Sequence, residues 1–292
     1  MKRILLLGSK GRLGAALARC WRKNHEVQAF SRQDLDVADL TRLKTTLASA
    51  RCDVLVNATG LTSLEACEEN PALAHTLNAE AVRVMADTAR QQGARLIHFS
   101  TDYVFNGTAS GPYTEEALTD PLSHYGHSKR AGELAALESS PHHLVFRVSW
   151  VFGPDKPSFV DMILKKAATE SALEAIADKT SSPTFTEDVA EWLEPFLQAP
   201  IAGGLFHACN AGACSWHELG SEALRIATDL GWNLRTREIR PLKLAEMKTF
   251  TATRPVQTVL NTAKLTHTIG QPPRPWQAAL SSYLQALPQP TA

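Results

Sequence analysis

Tyr125 and Lys129 stand four residues apart in the run Tyr125-Gly126-His127-Ser128-Lys129. On a helix that spacing puts the phenol and the ammonium on one face. A free phenol has a pKa near about 10 and is a poor proton-transfer group at neutral pH. A neighbouring cation stabilises tyrosinate and brings the exchange within reach. Reduction of a ketone needs such a group, because a proton must reach oxygen while hydride reaches carbon. Tyr125 would donate that proton, and Lys129 would tune the phenol and bind nicotinamide ribose. Thr101 follows an apolar run from Leu96 to Ser100 and would hydrogen-bond the carbonyl oxygen. A Y-x-x-x-K pair by itself is commonly no more than two exposed helix neighbours, so its meaning depends on what surrounds it.

The hydride source is indicated at the N-terminus, where Gly8-Ser9-Lys10-Gly11-Arg12-Leu13-Gly14 follows the apolar run Ile4-Leu5-Leu6-Leu7. Glycines are needed where the chain turns and where pyrophosphate approaches the backbone. A helix starting there presents free N–H groups and a positive dipole end to phosphate. The strand before the loop and the helix pattern after it are the context that this fingerprint requires. The next strand ends at Phe30-Ser31-Arg32, with no carboxylate until Asp34. A basic residue there suits the 2′-phosphate of NADP, so the expected cofactor is NADPH, with NADH still open. Arg32 as a plain surface residue is the competing reading, and Arg12 is a second phosphate candidate. Asp36-Val37 would line the adenine pocket, and Asn57-Ala58-Thr59 would face ribose and nicotinamide.

These residues need a parallel sheet to bring them together. Short continuous apolar runs at Ile4–Leu7, Val27–Phe30, Val54–Val56, Leu96–Phe99 and Leu144–Val148 alternate with amphipathic stretches. That alternation predicts strands covered by helices on both faces. Pro71 opens a long helix that Gly93 closes. Beyond Trp150 the pattern loosens into helices near 158–170, 187–198 and 275–287, with one from Ser215 to about Leu230 and strands at Leu173–Ile176 and Leu205–Ala208. The expected fold is α/β, a Rossmann-type doubly wound parallel sheet with a smaller C-terminal α/β substrate lobe. Residues 1–149 and 172–210 would form the NADP-binding domain, and 150–171 with 211–292 the substrate lobe.

Composition narrows the partners. In 292 residues, 44% are hydrophobic, and 30 Lys and Arg balance 30 Asp and Glu. This favours neither nucleic acid nor a membrane surface as partner. Five cysteines without a C-x-x-C pair read as free thiols in a reducing compartment, and no apolar run has the length of a signal or span. A cytoplasmic protein without a metal is expected, and a homodimer stays open. His98, His127 and His207 fit strand, helix-face or core positions better than catalysis.

Taken together, the residues resemble the extended short-chain dehydrogenases/reductases, and within them the dTDP-4-dehydrorhamnose reductases. The carriers are Val56-Asn57-Ala58, Ser100-Thr101-Asp102-Tyr103-Val104-Phe105, and Pro121 with Tyr125-Gly126 and Lys129. Arg147-Val148-Ser149-Trp150-Val151, Ser182-Pro183-Thr184, Ser215-Trp216 and Arg254-Pro255 with Leu260-Asn261 complete the match. The resemblance implies reduction of the C4 ketone of a nucleotide-linked 6-deoxyhexulose with Thr101, Tyr125 and Lys129 as catalytic residues. It places Val104, Phe105 and Trp150 against the sugar and assigns Arg254 and Asn261 to substrate binding. For Trp150 the plain alternative is a core aromatic, and for Arg254 a surface salt bridge. The chain departs from the pattern at Leu64-Glu65, at Ser158-Phe159 and at Asp178-Lys179-Thr180-Ser181, all on the expected substrate side. A sister reductase of another keto sugar is therefore the runner-up. A dehydratase fits less well, since Tyr103 stands where those enzymes carry Glu. An epimerase fits less well too, lacking its acidic cofactor selector. A non-catalytic role like that of the methionine adenosyltransferase β subunit is the reading from a different class.

Overall fold

A computed structural model describes residues 1–199 and 201–288. Pro200 and 289–292, which fall within the two expected domains, lie outside the described residues. Strands β1 (Arg3–Leu7), β2 (Glu26–Phe30), β3 (Val54–Asn57), β4 (Arg95–Thr101) and β5 (Leu144–Val148) lead into the shorter β6 (Val151–Phe152), β7 (Leu173–Ile176), β8 (Thr180–Ser181) and β9 (Thr184–Phe185). They are followed by β10 (Gly204–His207), β11 (Cys214–Ser215) and β12 (Ile239–Leu242). Six of them form one parallel sheet in the order β10-β5-β4-β3-β1-β2. The order reverses between β1 and β3, and the switch point of such a sheet opens a crevice at the carboxyl ends of its strands.

The first-half helices are α1 (Arg12–Trp21), α2 (Leu40–Ser49), α3 (Leu64–Glu69), α4 (Pro71–His75), α5 (Ala81–Gln91) and α6 (His124–Ser139). The second half adds α7 (Phe159–Thr169), α8 (Thr186–Gln198), α9 (Trp216–Asp229), α10 (Ala263–Ile269) and α11 (Trp276–Ala286). One apolar core lies between the sheet and α1 and α8, with Leu6, Trp21, Val56, Phe146 and Phe196. A second lies on the opposite face against α2 and α5, where Val82, Met85, Ala86 and Ala89 repeat at helical spacing. Arg147 and Glu133 close the layer between β5 and α6 through bonds of 2.7 Å, both side chains essentially inaccessible.

A third core, built from α7, α9, α11 and the β7–β12 pair, forms the second lobe. This shifts the expected division. Leu173–Ile176 pairs with Ile239–Leu242 and packs in that lobe, whereas α8 and β10 stand with the large sheet. The division drawn at 172 followed chain order, and strand pairing across 66 residues overrides it.

The expected long helix from Pro71 is interrupted by a π turn at Thr76–Glu80. The turn points Asn78 inward, where its amide accepts from Leu61 N–H and donates to Leu61 O and to Ser128 Oγ, at 2.9–3.0 Å. Such turns often mark functional places, and this one ties the loop after β3 to α6. No helix among the described residues is long and apolar enough to cross a membrane.

Candidate active site

A cleft of about 500 Å³ opens over the carboxyl ends of β1, β3, β4 and β5. Gly11, Arg12 and Leu13 line it from the glycine loop, Ala58 and Thr59 from the end of β3, and Thr101, Tyr125, Lys129 and Trp150 from the other wall. Residues from five separate stretches of chain, all singled out in the sequence, therefore meet in one cavity.

The glycine loop is shaped for close approach. A Cβ on Gly14 would lie 2.2 Å from Gly8 O, so only glycine lets α1 start there. Gly11 caps α1 with no side-chain hydrogen bond, and the first turn carries no acidic residue. The helix N-terminus thus faces the cleft with its N–H groups open, a fit for pyrophosphate. Arg12 is spent otherwise. Its guanidinium donates to Lys156 O at 2.9 Å and to Pro157 O, tying the loop to the second lobe.

The end of β2 abuts the loop, since Gly8 and Ser9 N–H both donate to Phe30 O. There Lys10 Nζ donates to Gln33 Oε1 at 2.7 Å, and Arg32, 80% exposed, pairs with Asp36 at 3.2 Å. Ser31 is buried and caps Asp34 through its N–H and hydroxyl. Val37 is 6% exposed and packs in the core behind β1. Asn57 is fully buried, its amide against His98 Nδ1 at 3.1 Å and its oxygen accepting from Thr59 at 2.6 Å.

Ser123 caps α6 by accepting from Gly126 N–H at 3.2 Å, which places Tyr125 and Lys129 on the first turns. A Cβ on Gly126 would sit 2.3 Å from Tyr103 O, so glycine is what lets α6 reach the cleft wall. Tyr103 and Tyr125 then meet edge to face, centroids 5.8 Å apart. The sequence reading has Lys129 lowering the phenol's pKa. In the structure burial pushes it up, the Thr101 hydroxyl pulling the other way. The ammonium instead donates to Phe99 O at 2.6 Å, and burial lowers its own pKa to about 8. The Thr101 hydroxyl accepts from Tyr103 N–H at 3.2 Å and donates to Asp102 at 3.0 Å. Asp102, 2% exposed, also accepts from Ser181 and Thr258 hydroxyls at 3.0 and 2.6 Å.

The substrate-side residues separate. Trp150 lines the cleft with φ 41°, in the left-handed region, and stacks near Trp216, centroids 5.4 Å apart. Its buried indole N–H has no partner among the described residues. Val104 and Phe105 do not reach the cleft: both are fully buried, and Phe105 stacks on Tyr113 at 4.0 Å beneath Arg147. They stand at the end of the 3-10 turn Asp102–Val104, whose C-cap Phe105 donates its N–H back to Asp102 O. Asn261 lies at a separate cavity with Leu260 and Thr266, its side chain accepting from Ala263 N–H at 2.8 Å. Arg254 is not among the residues lining the cleft; it is bonded to Glu65 at 2.6 Å and lies 3.5 Å over the Phe250 ring.

Sequence reasoning did not single out Asn78, gave Asp102 and Lys179 no role of their own, and weighed a salt bridge for Arg254 without naming its partner Glu65. Asparagine within a long helical stretch was the one local signal for Asn78. His98 and His207 are buried as expected, with lowered pKa values from burial, and His127 is exposed on α6.

With this geometry in place, comparison with known proteins is informative. The family described as "RmlD substrate binding domain" matches residues 1–288. The chain is 35% identical to a dTDP-4-dehydrorhamnose reductase of Streptomyces griseus, covering 98% of this chain and 94% of the relative. It is 36% identical to a Streptomyces antibioticus protein named "Probable dTDP-4,6-dihydroxy-2-methyloxan-3-one 4-ketoreductase", covering 95% and 93%. The crystal structure of a dTDP-4-dehydrorhamnose reductase from Clostridium acetobutylicum superposes with a TM-score of 0.91 at 30% identity, covering 97% and 98%. Fold, cleft and sequence agree: the chain belongs to the dTDP-4-dehydrorhamnose reductase family of Rossmann-type oxidoreductases.

Proposed function

We propose that the protein is an NADPH-dependent reductase of a nucleotide-linked 4-keto-6-deoxy sugar, converting dTDP-4-dehydrorhamnose to dTDP-L-rhamnose. The observation that carries this is the convergence of Thr101, Tyr125 and Lys129 beside an uncapped glycine-loop helix in one cleft. The nicotinamide, when bound, supplies hydride to the carbonyl carbon and leaves oxidised. Burial keeps the Tyr125 phenol protonated at neutral pH, so it holds the proton that the carbonyl oxygen takes up as its π bond breaks. Lys129, one turn along, stabilises the phenolate left behind. Thr101 would orient the oxygen once its hydroxyl, which here donates to Asp102, turns its proton to the carbonyl. Lys10 and Arg32 beside Ser31 make the NADP-type reading of the β2 end the better one, with Asp36, Asn57, Ala58 and Thr59 completing the cofactor side. Trp150 and Arg254 belong to the sugar-nucleotide side. Two separate lobes, cofactor and substrate, share this cleft. The five free cysteines, three of them buried, suit a reducing compartment such as the cytoplasm.

A related keto sugar is the second reading, favoured because the Streptomyces antibioticus relative is named for a different dTDP-linked ketone and because Glu65 and Lys179, where the chain departs from the family pattern, bond Arg254 and face the Tyr103 ring. The test is to mix the protein with NADPH and enzymatically made dTDP-4-dehydrorhamnose, follow loss of absorbance and identify the product. Turnover to dTDP-L-rhamnose with a lower KM for NADPH than for NADH is expected. Absence of turnover would overturn the substrate assignment, and a clear NADH preference would overturn the cofactor assignment.

A further inference from the structure

Lys179 is fully buried, yet it carries an ammonium among the elements that wall the cleft. Its Nζ donates to Pro255 O and lies 4.9 Å from the Tyr103 ring centre and 6.0 Å from that of Trp150. Both rings line the cleft. Pro255 directly follows Arg254, whose guanidinium is held by Glu65. The segment after Pro255 runs beside β8, with Thr180 N–H donating to Val256 O at 2.8 Å and Thr258 N–H to Thr180 O at 3.0 Å. One cation therefore sits where the 102–104 turn, the Trp150 corner and the 254–258 strap meet. Burying a charge is unfavourable unless it is compensated, and here a carbonyl, two aromatic faces and the nearby Asp102 carboxylate do so.

We propose that Lys179 is a positioning residue for the nucleotide-sugar side: its ammonium clamps the Arg254–Val256 strap to Tyr103 and Trp150 and so holds Arg254 and the two aromatic walls in register. This rests on the nucleotide-sugar reading above. The charged groups around Lys179 are Asp102 on the 102–104 turn, which favours its charge, and Arg254 on the strap, which opposes it. Glu65 in turn neutralises Arg254, and the Tyr103 phenol is held protonated by burial. Burial lowers the Lys179 pKa to about 8. The clamp is thus charged at pH 7 and largely neutral at pH 9, where the attraction to the two rings is lost.

The experiment compares the wild-type protein with Lys179→Met and Lys179→Gln, using dTDP as the probe in calorimetry and NADPH in a separate fluorescence titration. At pH 7, Lys179→Met should weaken dTDP binding about tenfold and leave NADPH binding within about twofold. Lys179→Gln, which can still donate one N–H to Pro255 O, should fall between. Wild-type affinity for dTDP should drop from pH 7 to pH 9, and this drop should be absent in Lys179→Met. Equal loss for both ligands would mark a merely structural lysine and overturn the proposal. Unchanged dTDP affinity with an unchanged pH dependence would also overturn it while leaving the reductase reading intact. A wild-type protein that neither binds dTDP nor reduces the keto sugar would overturn that reading and the clamp with it. If Lys179→Met does not fold by circular dichroism, Lys179→Gln carries the same comparison.

Discussion

Tyr125→Phe removes one oxygen and leaves the ring where it is. The edge-to-face contact with Tyr103, at 5.8 Å and 67°, involves the ring alone and survives. Tyr125 lines the cleft, and losing the hydroxyl's hydrogen bond to Thr101 should cost about 1 kcal/mol in stability. Its role in the reaction is larger. A positioned general acid contributes about 10²–10⁴ in rate, which at about 1.36 kcal/mol per tenfold is roughly 2.7–5.4 kcal/mol of barrier. Binding of NADPH should be nearly unchanged, because the glycine loop and Lys129 are untouched. The assay is single-turnover oxidation of NADPH with saturating keto sugar, alongside cofactor titration by fluorescence and a thermal melt. A slow variant with wild-type cofactor affinity and a melt close to wild type is expected. Turnover within about threefold of wild type would refute the assignment of the proton to Tyr125. Loss of cofactor binding in parallel with rate would refute the claim that the hydroxyl acts on the substrate.

Other outcomes follow from the same contacts. Gly14→Ala places a methyl 2.2 Å from Gly8 O, and the backbone shift should cost about 1–3 kcal/mol while raising KM for NADPH; an unperturbed KM would show that α1 does not form the phosphate cradle. Glu133→Ala strands the buried Arg147 and should lose about 3–5 kcal/mol in urea denaturation, with a loss under about 1 kcal/mol arguing that water or the neighbouring His207 Nε2 relieves it. Lys129 and Lys179 both have pKa values lowered to about 8, below the ordinary lysine value of about 10.4. Between those pH values the unfolded chain holds more protons than the native one, so stability should rise from pH 8 to 10. It should fall again as pH drops through about 8, and chemical denaturation of Lys129→Met should show a shallower rise. A wild-type profile flat across that window would contradict the burial of both charges.

What the chain announces by itself is whatever local spacing encodes. Alternating apolar runs specified the parallel sheet, because a strand buried on both faces must be apolar throughout. The glycine loop and the Tyr125–Lys129 pair were legible for the same reason: a turn and an i,i+4 face are properties of a few consecutive residues. Thr101 was legible from its place just past a strand. Contacts between distant stretches were not. Whether Val104 and Phe105 face sugar or core depends on Tyr113 and Arg147, which nothing near them in sequence specifies. Arg12 reads as a phosphate ligand until the fold brings the 156–157 carbonyls to it. Lys179 reads as one more turn residue until the strap 76 residues later closes over its ammonium. The sign of the shift at Tyr125 belongs to the same class. The lysine expected to lower it is written in the sequence, but the ammonium is turned to Phe99 O, and the desolvation that raises the phenol exists only once α6, Tyr103 and Cys67 have packed together.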